Sequence, residues 1–156
     1  MAAAFAIAMT NFTNCSDQEA AGYIGQSDIA VEDGKMTPEV MLSLGRLSDP
    51  QLSPDGKTIL YGVSYTSVPD NRSCRNLFLI NADGTCRRQL TREGSSISCA
   101  RWTDGGRGIM YIQKGQLRKA TVRGLSGNSP KLVKKTVISD IPAGISEFKL
   151  SPDGSR

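Results

Sequence analysis

An all-β chain built from a repeated, turn-linked unit is the fold class that this sequence predicts. Three observations point there. A stretch from Leu52 to Tyr61 (LSPDGKTILY) is echoed from Trp102 to Tyr111 (WTDGGRGIMY) and begins again at Leu150-Ser151-Pro152-Asp153-Gly154. Ser53 and Thr103 stand 50 positions apart, and Thr103 and Ser151 stand 48 apart. Short apolar runs alternate with turn signals, and 16 glycines with only 6% aromatic residues favour turns over long helices. A repeat of roughly 50 residues belongs to propeller blades and related arrays. The expectation is therefore a partial β-propeller, about two four-stranded blades and the start of a third, preceded by a short helix.

Taken in order, Ala2 to Met9 is an apolar run too short to span a membrane, followed by polar sequence from Thr10 to Ala21. Residues 1–22 read as the remnant of a signal peptide or a lipoprotein-like tail, with Cys15 as a candidate lipid anchor. A disordered cytoplasmic tail is the alternative. Residues 23–36 read as linker, and residues 37–156 as an incomplete propeller domain. Thr37-Pro38-Glu39 starts a helix: a Thr N-cap, Pro at the first helical position and an acid in the first turn. Val40, Met41 and Leu44 fall on one face, and Gly45 is a natural stop.

Strand periodicity begins near Leu47. Ser53-Pro54-Asp55-Gly56 has the residues of a type I turn: Ser at the first position, Pro presetting φ at the second, and Gly at the exit. The strand 59–63 follows, then a looser segment with Pro69, Asp70 and Asn71, the strand 76–80, the turn Asn81-Ala82-Asp83-Gly84, and the strand 85–91. The second unit repeats the order with strands 97–102, 109–113, 116–122 and 131–138. In place of Pro and Asp, its first turn has Asp104 and Gly105, a change expected to weaken the turn without moving it. Each such sheet has two apolar faces, and both need a neighbour.

The chain contains no histidine and no G-x-S-x-G motif, so neither a Ser-His-Asp centre nor a His-containing zinc site lies within it. No catalytic, cofactor-binding or metal-binding residue is assigned, and no cofactor is expected. Asp55 and Asp153 read as turn residues, because no Asp-x-Asp-x-Asp-Gly calcium loop accompanies them. Trp102 reads as a core residue between blades, and Tyr61 and Tyr111 as packing residues at equivalent positions. The net charge of +4 includes two local clusters, Arg87/Arg88/Arg92 and Lys131/Lys134/Lys135. They read as solvated strand edges and loops rather than a nucleic-acid surface, since no aromatic residues interleave with them.

Of the four cysteines, Cys15, Cys74, Cys86 and Cys99, none forms a C-x-x-C pair. With the turn at Asn81–Gly84, Cys86 faces Leu79 and Cys74 lies roughly 16 Å further along the strand. That is beyond the reach of a disulfide, which needs Cα atoms within about 7 Å. Free, packed thiols are expected, with Cys99 left open as a partner for either.

The stretch Thr37 to Thr91, centred on Leu44-Gly45-Arg46-Leu47-Ser48-Asp49-Pro50-Gln51-Leu52-Ser53-Pro54-Asp55-Gly56-Lys57, resembles the start of the mature prolyl oligopeptidase family. The nearer likeness is to its bacterial acylaminoacyl-peptidase and dipeptidyl-peptidase-like branch. Leu77-Phe78-Leu79-Ile80, Asn81-Ala82-Asp83-Gly84 and Gln89-Leu90-Thr91 match the later part of a blade in that family. The resemblance implies an exported serine peptidase, periplasmic or envelope-associated, whose Ser, Asp and His lie beyond Arg156 in a carboxy-terminal α/β-hydrolase domain. The propeller would then be non-catalytic, partnering that domain and gating short-peptide access to it. A TolB-like periplasmic propeller that binds a protein partner and has no enzymatic activity is the alternative, since SPDG turns and "LT" strand endings are shared with it. The last residues stop between a turn and its strand, which reads as truncation of a longer coding sequence. The chain alone is expected to be inactive as a peptidase and poorly soluble.

Overall fold

The computed structural model describes residues 21–31 and 33–151. Those residues form one short helix, α1 (Pro38–Ser43), and eight strands: β1 (Arg46–Leu52), β2 (Thr58–Ser67), β3 (Arg72–Asn81), β4 (Arg88–Gln89), β5 (Ile97–Thr103), β6 (Gly108–Gln113), β7 (Gln116–Arg123) and β8 (Lys131–Val137). They make two antiparallel four-stranded sheets in simple meander order, β1-β2-β3-β4 and β5-β6-β7-β8. The all-β expectation holds. The Cys15 segment and the third copy of the turn from Pro152 onward lie outside the described residues.

The helix begins as its residues dictate. Thr37 sits at φ −92°, ψ 163°, and its hydroxyl accepts the Val40 N–H at 3.3 Å. Of the apolar side chains expected on one face, only Val40 is buried; Met41 and Leu44 are each 52% exposed. The helix is too short to present all three to one surface. Gly45 does not act through a left-handed backbone. A Cβ there would stand 2.7 Å from Tyr65 Cε1 and 2.9 Å from Val63 Cγ1, so glycine lets the chain cross close over β2. Within the segment read as linker, Ile24 is buried against Tyr61, Val63, Tyr65, Cys74 and Phe78.

The repeat extends to the register. β1 pairs with β2 through Leu47↔Val63, Ser48↔Gly62, Gln51↔Leu60 and Leu52↔Ile59, and β5 pairs with β6 through Ile97↔Gln113, Ser98↔Ile112, Arg101↔Met110 and Trp102↔Ile109. Every pair in the second set is the first set moved by 50. Both first strands are interrupted by a bulge at the same place, with Asp49 and Cys99 each at φ 50°. The Pro69–Asn71 segment is a tight connection, Asn71 N–H donating to Val68 O at 3.1 Å, so β2 and β3 are ten residues each. The second hairpin turns at once through Lys114 and Gly115, which shortens β6 to six residues and β7 to eight. Beyond it the offset becomes 40: Ile59↔Ile80 corresponds to Ile109↔Ala120.

One register expectation fails. Leu79 lies opposite Arg88, not Cys86. Asn81 N–H donates to Thr85 O at 3.0 Å, and Cys86 then takes φ 53°, inserting a bulge that shifts the pairing of β4. Lys134, 48 positions later, repeats it at φ 51°. The bulges limit regular pairing of the fourth strand, which in the first sheet is reduced to Arg88–Gln89. Cys86 is therefore exposed, not packed, whereas Cys74 is buried; Cys74, Cys86 and Cys99 are all free thiols.

The two sheets pack face to face, and the faces used are not equivalent ones. Alternation places Leu60, Leu77 and Leu79 on one face of the first sheet and Tyr61, Val63 and Phe78 on the other. The Leu60 face meets Ile97, Ala100, Ile109, Tyr111, Ala120 and Val122 of the second sheet in one core. Tyr61 and Tyr111 occupy equivalent positions in the repeat. Tyr111 nevertheless points into the seam between sheets, while Tyr61 points away from it. The second sheet thus presents to the first the face that the first turns outward: the sheets are stacked head to tail.

Candidate functional site

The first turn shows how local sequence commits its polar groups. Ser53 accepts the Thr58 N–H at 2.9 Å through its hydroxyl and donates to Asp55 Oδ1 at 2.5 Å. Asp55 also accepts the Lys57 N–H at 3.1 Å. The Ser53 hydroxyl, then the Lys57 amide, hold the Asp55 carboxyl below the usual carboxylate range. Both side chains are spent on the turn. Among the described residues no group of three His, Cys, Asp or Glu stands close enough to hold a metal ion. No helix among them is long and apolar enough to cross a membrane.

The basic residues grouped by sequence are separated in space. Arg87 lies over the Phe78 ring, 5.2 Å from its centroid, and donates to Tyr65 Oη at 3.3 Å on the outward face of the first sheet. Arg88 points the other way. Its guanidinium donates to Leu125 O at 2.5 Å, Gly127 O at 3.0 Å and Asn81 Oδ1 at 2.9 Å, tying the first sheet to the β7–β8 loop of the second. Lys135 pairs with Glu93 at 2.5 Å, and Arg92 and Lys131 are engaged in interactions of their own.

What the fold does assemble is a seam. Trp102, half-buried against the common core, donates its indole N–H to Gln51 O at 3.2 Å. Arg101 donates to Asp49 Oδ2 at 2.7 Å, each side chain about a quarter exposed (25% and 29%). Solvent screening limits such a pair to about 1 kcal/mol, so it fixes alignment more than it adds stability. Asp49 reaches Arg101 from the positive-φ bulge, a contact that sequence spacing alone did not suggest.

A second device holds each sheet's exit. Asn76 Oδ1 accepts from Thr91 Oγ1 at 2.9 Å and from the Glu93 N–H at 2.7 Å, while its Nδ2 donates to Glu93 O at 3.2 Å. Thr91 Oγ1 in turn accepts the Leu77 N–H at 2.9 Å. In the second sheet Gln116 Oε1 accepts from Ser139 Oγ at 2.8 Å and from the Ile141 N–H at 3.2 Å, its Nε2 donates to Ile141 O at 2.9 Å, and Ser139 Oγ accepts the Leu117 N–H at 2.8 Å. An amide and a hydroxyl are kept while both residue types change. The "LT" ending at Leu90-Thr91 was the only sequence signal for it.

Two hollows border this framework. One of about 570 Å³ opens where the turns Asp55–Lys57 and Asn81–Asp83 meet Leu125 and Ser126. Another of about 480 Å³ lies on the outward face of the first sheet, between Tyr61, Val63, Leu47 and the segment carrying Ile29, Val31 and Leu44.

No protein-family profile matches the chain. It is similar to dipeptidyl-peptidase 5 of Porphyromonas endodontalis, 31% identical over 127 residues that make up 80% of this chain and 18% of that protein. It is also similar to dipeptidyl-peptidase 5 of Porphyromonas gingivalis, 40% identical over 77 residues, 49% of this chain and 11% of that protein. The chain is thus related to a segment of peptidases, and spans less than a fifth of the length of these curated relatives. This agrees with the resemblance read from Thr37 to Thr91 at the level of a peptidase family.

Proposed function

We propose that these residues supply two adjacent blades of a β-propeller in an exported serine dipeptidyl peptidase, where they carry no catalytic group and help to restrict short-peptide entry to a separate α/β-hydrolase domain. The observation that carries this reading is the match to two dipeptidyl peptidases, one of them along 80% of the chain. Three features support it. The chain has no histidine, so a peptidase of this kind must place its triad elsewhere. The meander sheets repeat with one register and one set of bulges, as neighbouring blades do. The two sheets stack head to tail, each presenting to the next the face that its neighbour turns away, as successive blades do. The hydrolase domain of the same polypeptide is then the principal partner. Export, with Cys15 as the site of any lipid anchor, belongs to the same proposal.

The test compares the 156-residue chain with the product of the whole coding sequence, using a chromogenic dipeptidyl substrate. Hydrolysis is expected only from the longer product, and only while the serine of a downstream G-x-S-x-G motif is intact. Hydrolysis by the pure 156-residue chain would overturn the reading. So would a coding sequence lacking that motif followed by Asp and His.

A further inference from the structure

The segment read as linker is held to the first sheet at a few consecutive residues. Ile24 is buried in the cluster of Tyr61, Val63, Tyr65, Cys74 and Phe78, whereas residues 26–31 are all exposed. Next to Ile24, Gln89 Nε2 donates to Tyr23 Oη at 2.9 Å. One step earlier, Gly22 O accepts from Arg72 Nη2 at 3.2 Å, and the same nitrogen donates to Gly94 O at 3.2 Å. A single guanidinium nitrogen thus ties together the amino-terminal segment, the first residue of β3 and the β4–β5 connection.

Gly94 records how closely the segment crosses that connection. A Cβ there would collide with Ala21 O, and would stand 3.0 Å from Ala21 C and 3.2 Å from Gly22 C. Its three nearest neighbours are all backbone atoms of the amino-terminal segment. The Gly94 backbone is not left-handed, so the crossing, and not a turn, is what calls for glycine. Beside the crossing, Glu93 O accepts from Cys74 Sγ at 3.2 Å, and Cys74 is 1% exposed.

We propose that residues 21–24 form a latch, closed over Cys74 and the β4–β5 connection, that opens as a unit while both sheets stay folded. Its contacts are confined to four residues followed by an exposed run, the arrangement in which a segment opens at lower free energy than the strands it covers. The latch is independent of any peptidase activity.

Labelling of Cys74 by a thiol reagent, resolved by mass spectrometry, tests it in the 156-residue chain. Gly94→Ala sets a methyl group against the closed latch, and Tyr23→Ala with Ile24→Ser removes its side-chain holds. Each variant is expected to label Cys74 at least about tenfold faster than the unmodified chain, with its circular dichroism unchanged. Cys86, exposed in every case, serves as the internal reference. All three substitutions together should label Cys74 within about twofold of the Tyr23→Ala, Ile24→Ser variant, because an open latch no longer meets the Gly94→Ala methyl. Unmodified labelling in Gly94→Ala, effects that multiply in the triple variant, or loss of sheet signal in either variant would each overturn the proposal.

Discussion

At Asn76 one buried amide satisfies a hydroxyl and both backbone groups of Glu93. Replacing it with leucine keeps the volume and strands those partners, at about 1–3 kcal/mol for each buried group left unpaired. Asn76→Leu is expected to lower unfolding stability by about 2–4 kcal/mol in a urea titration. Gln116→Leu, whose Ile141 partner is exposed, should lower it by less than about 1.5 kcal/mol, since water can replace the lost bonds. Equal losses would show that the two clasps do not differ in burial as described. The thiols differ in the same physical way. Burial pushes the Cys74 thiol up, while Cys86 is exposed. Site-resolved labelling by a thiol reagent should modify Cys86 readily in the folded chain and Cys74 only on unfolding. Acid acts through the turns. The Ser53 hydroxyl holds the Asp55 carboxyl low, and the Thr85 hydroxyl and amide do the same for Asp83. A depressed folded value means that the stabilisation is present above the ordinary carboxylate range and is lost as pH falls through the folded value. Asp55→Asn with Asp83→Asn should flatten the loss of stability seen on lowering the pH from about 5 to 2.

At the scale of elements, the turns separate what was legible from what was not. Ser-Pro-Asp-Gly specifies a type I turn by residue type alone, and Gly56 N–H donates to Ser53 O at 2.9 Å as that turn requires. The second copy, expected to keep its turn in place, instead moves it on by one residue and reverses its hand. Asp104, Gly105 and Gly106 stand at φ 53°, 64° and 88°, and Arg107 N–H donates to Asp104 O at 3.3 Å, the pattern of a type I′ turn. Loss of proline removes the residue that fixes φ near −65°, and two glycines make the mirror-image turn accessible. Asp104→Pro, which restores the repeat's own proline, is thus expected to destabilise the chain by more than about 1 kcal/mol; a gain in melting temperature would contradict this. The bulges at Asp49, Cys86, Cys99 and Lys134 had no sequence signature, because none is glycine and the equivalent positions (Asp49 and Cys99, Cys86 and Lys134) carry different residue types. They explain why strand existence was legible from 47 to 138 while the register of β4 was not. Likewise the helix start followed from Thr37 and Pro38, but the burial of Ile24 depended on a sheet face still to be formed.

For the whole molecule, equivalent residues meet unlike surroundings. The repeat told that Tyr61 and Tyr111 correspond; only the stacking tells that one faces the seam and the other the outside. The site was legible chiefly as chemistry that the chain lacks, since a sequence without histidine already rules out a Ser-His-Asp centre. The seam itself was visible only through Trp102. Leu79, fully buried where the sheets meet, should lose about 2–5 kcal/mol on truncation to alanine, while Leu47→Ala on the outward face should change stability by less than about 1 kcal/mol. Head-to-tail stacking underlies the proposed succession of blades. Methyl and aromatic nuclear Overhauser contacts in the 156-residue chain test it most directly. The account predicts cross-peaks from Leu60 and Leu79 to Ile109 and Tyr111, and from the Trp102 indole N–H to the Gln51 region. Cross-peaks from Tyr61 or Val63 to Ile109 and Tyr111 would mean that the sheets meet through equivalent faces, and would contradict it.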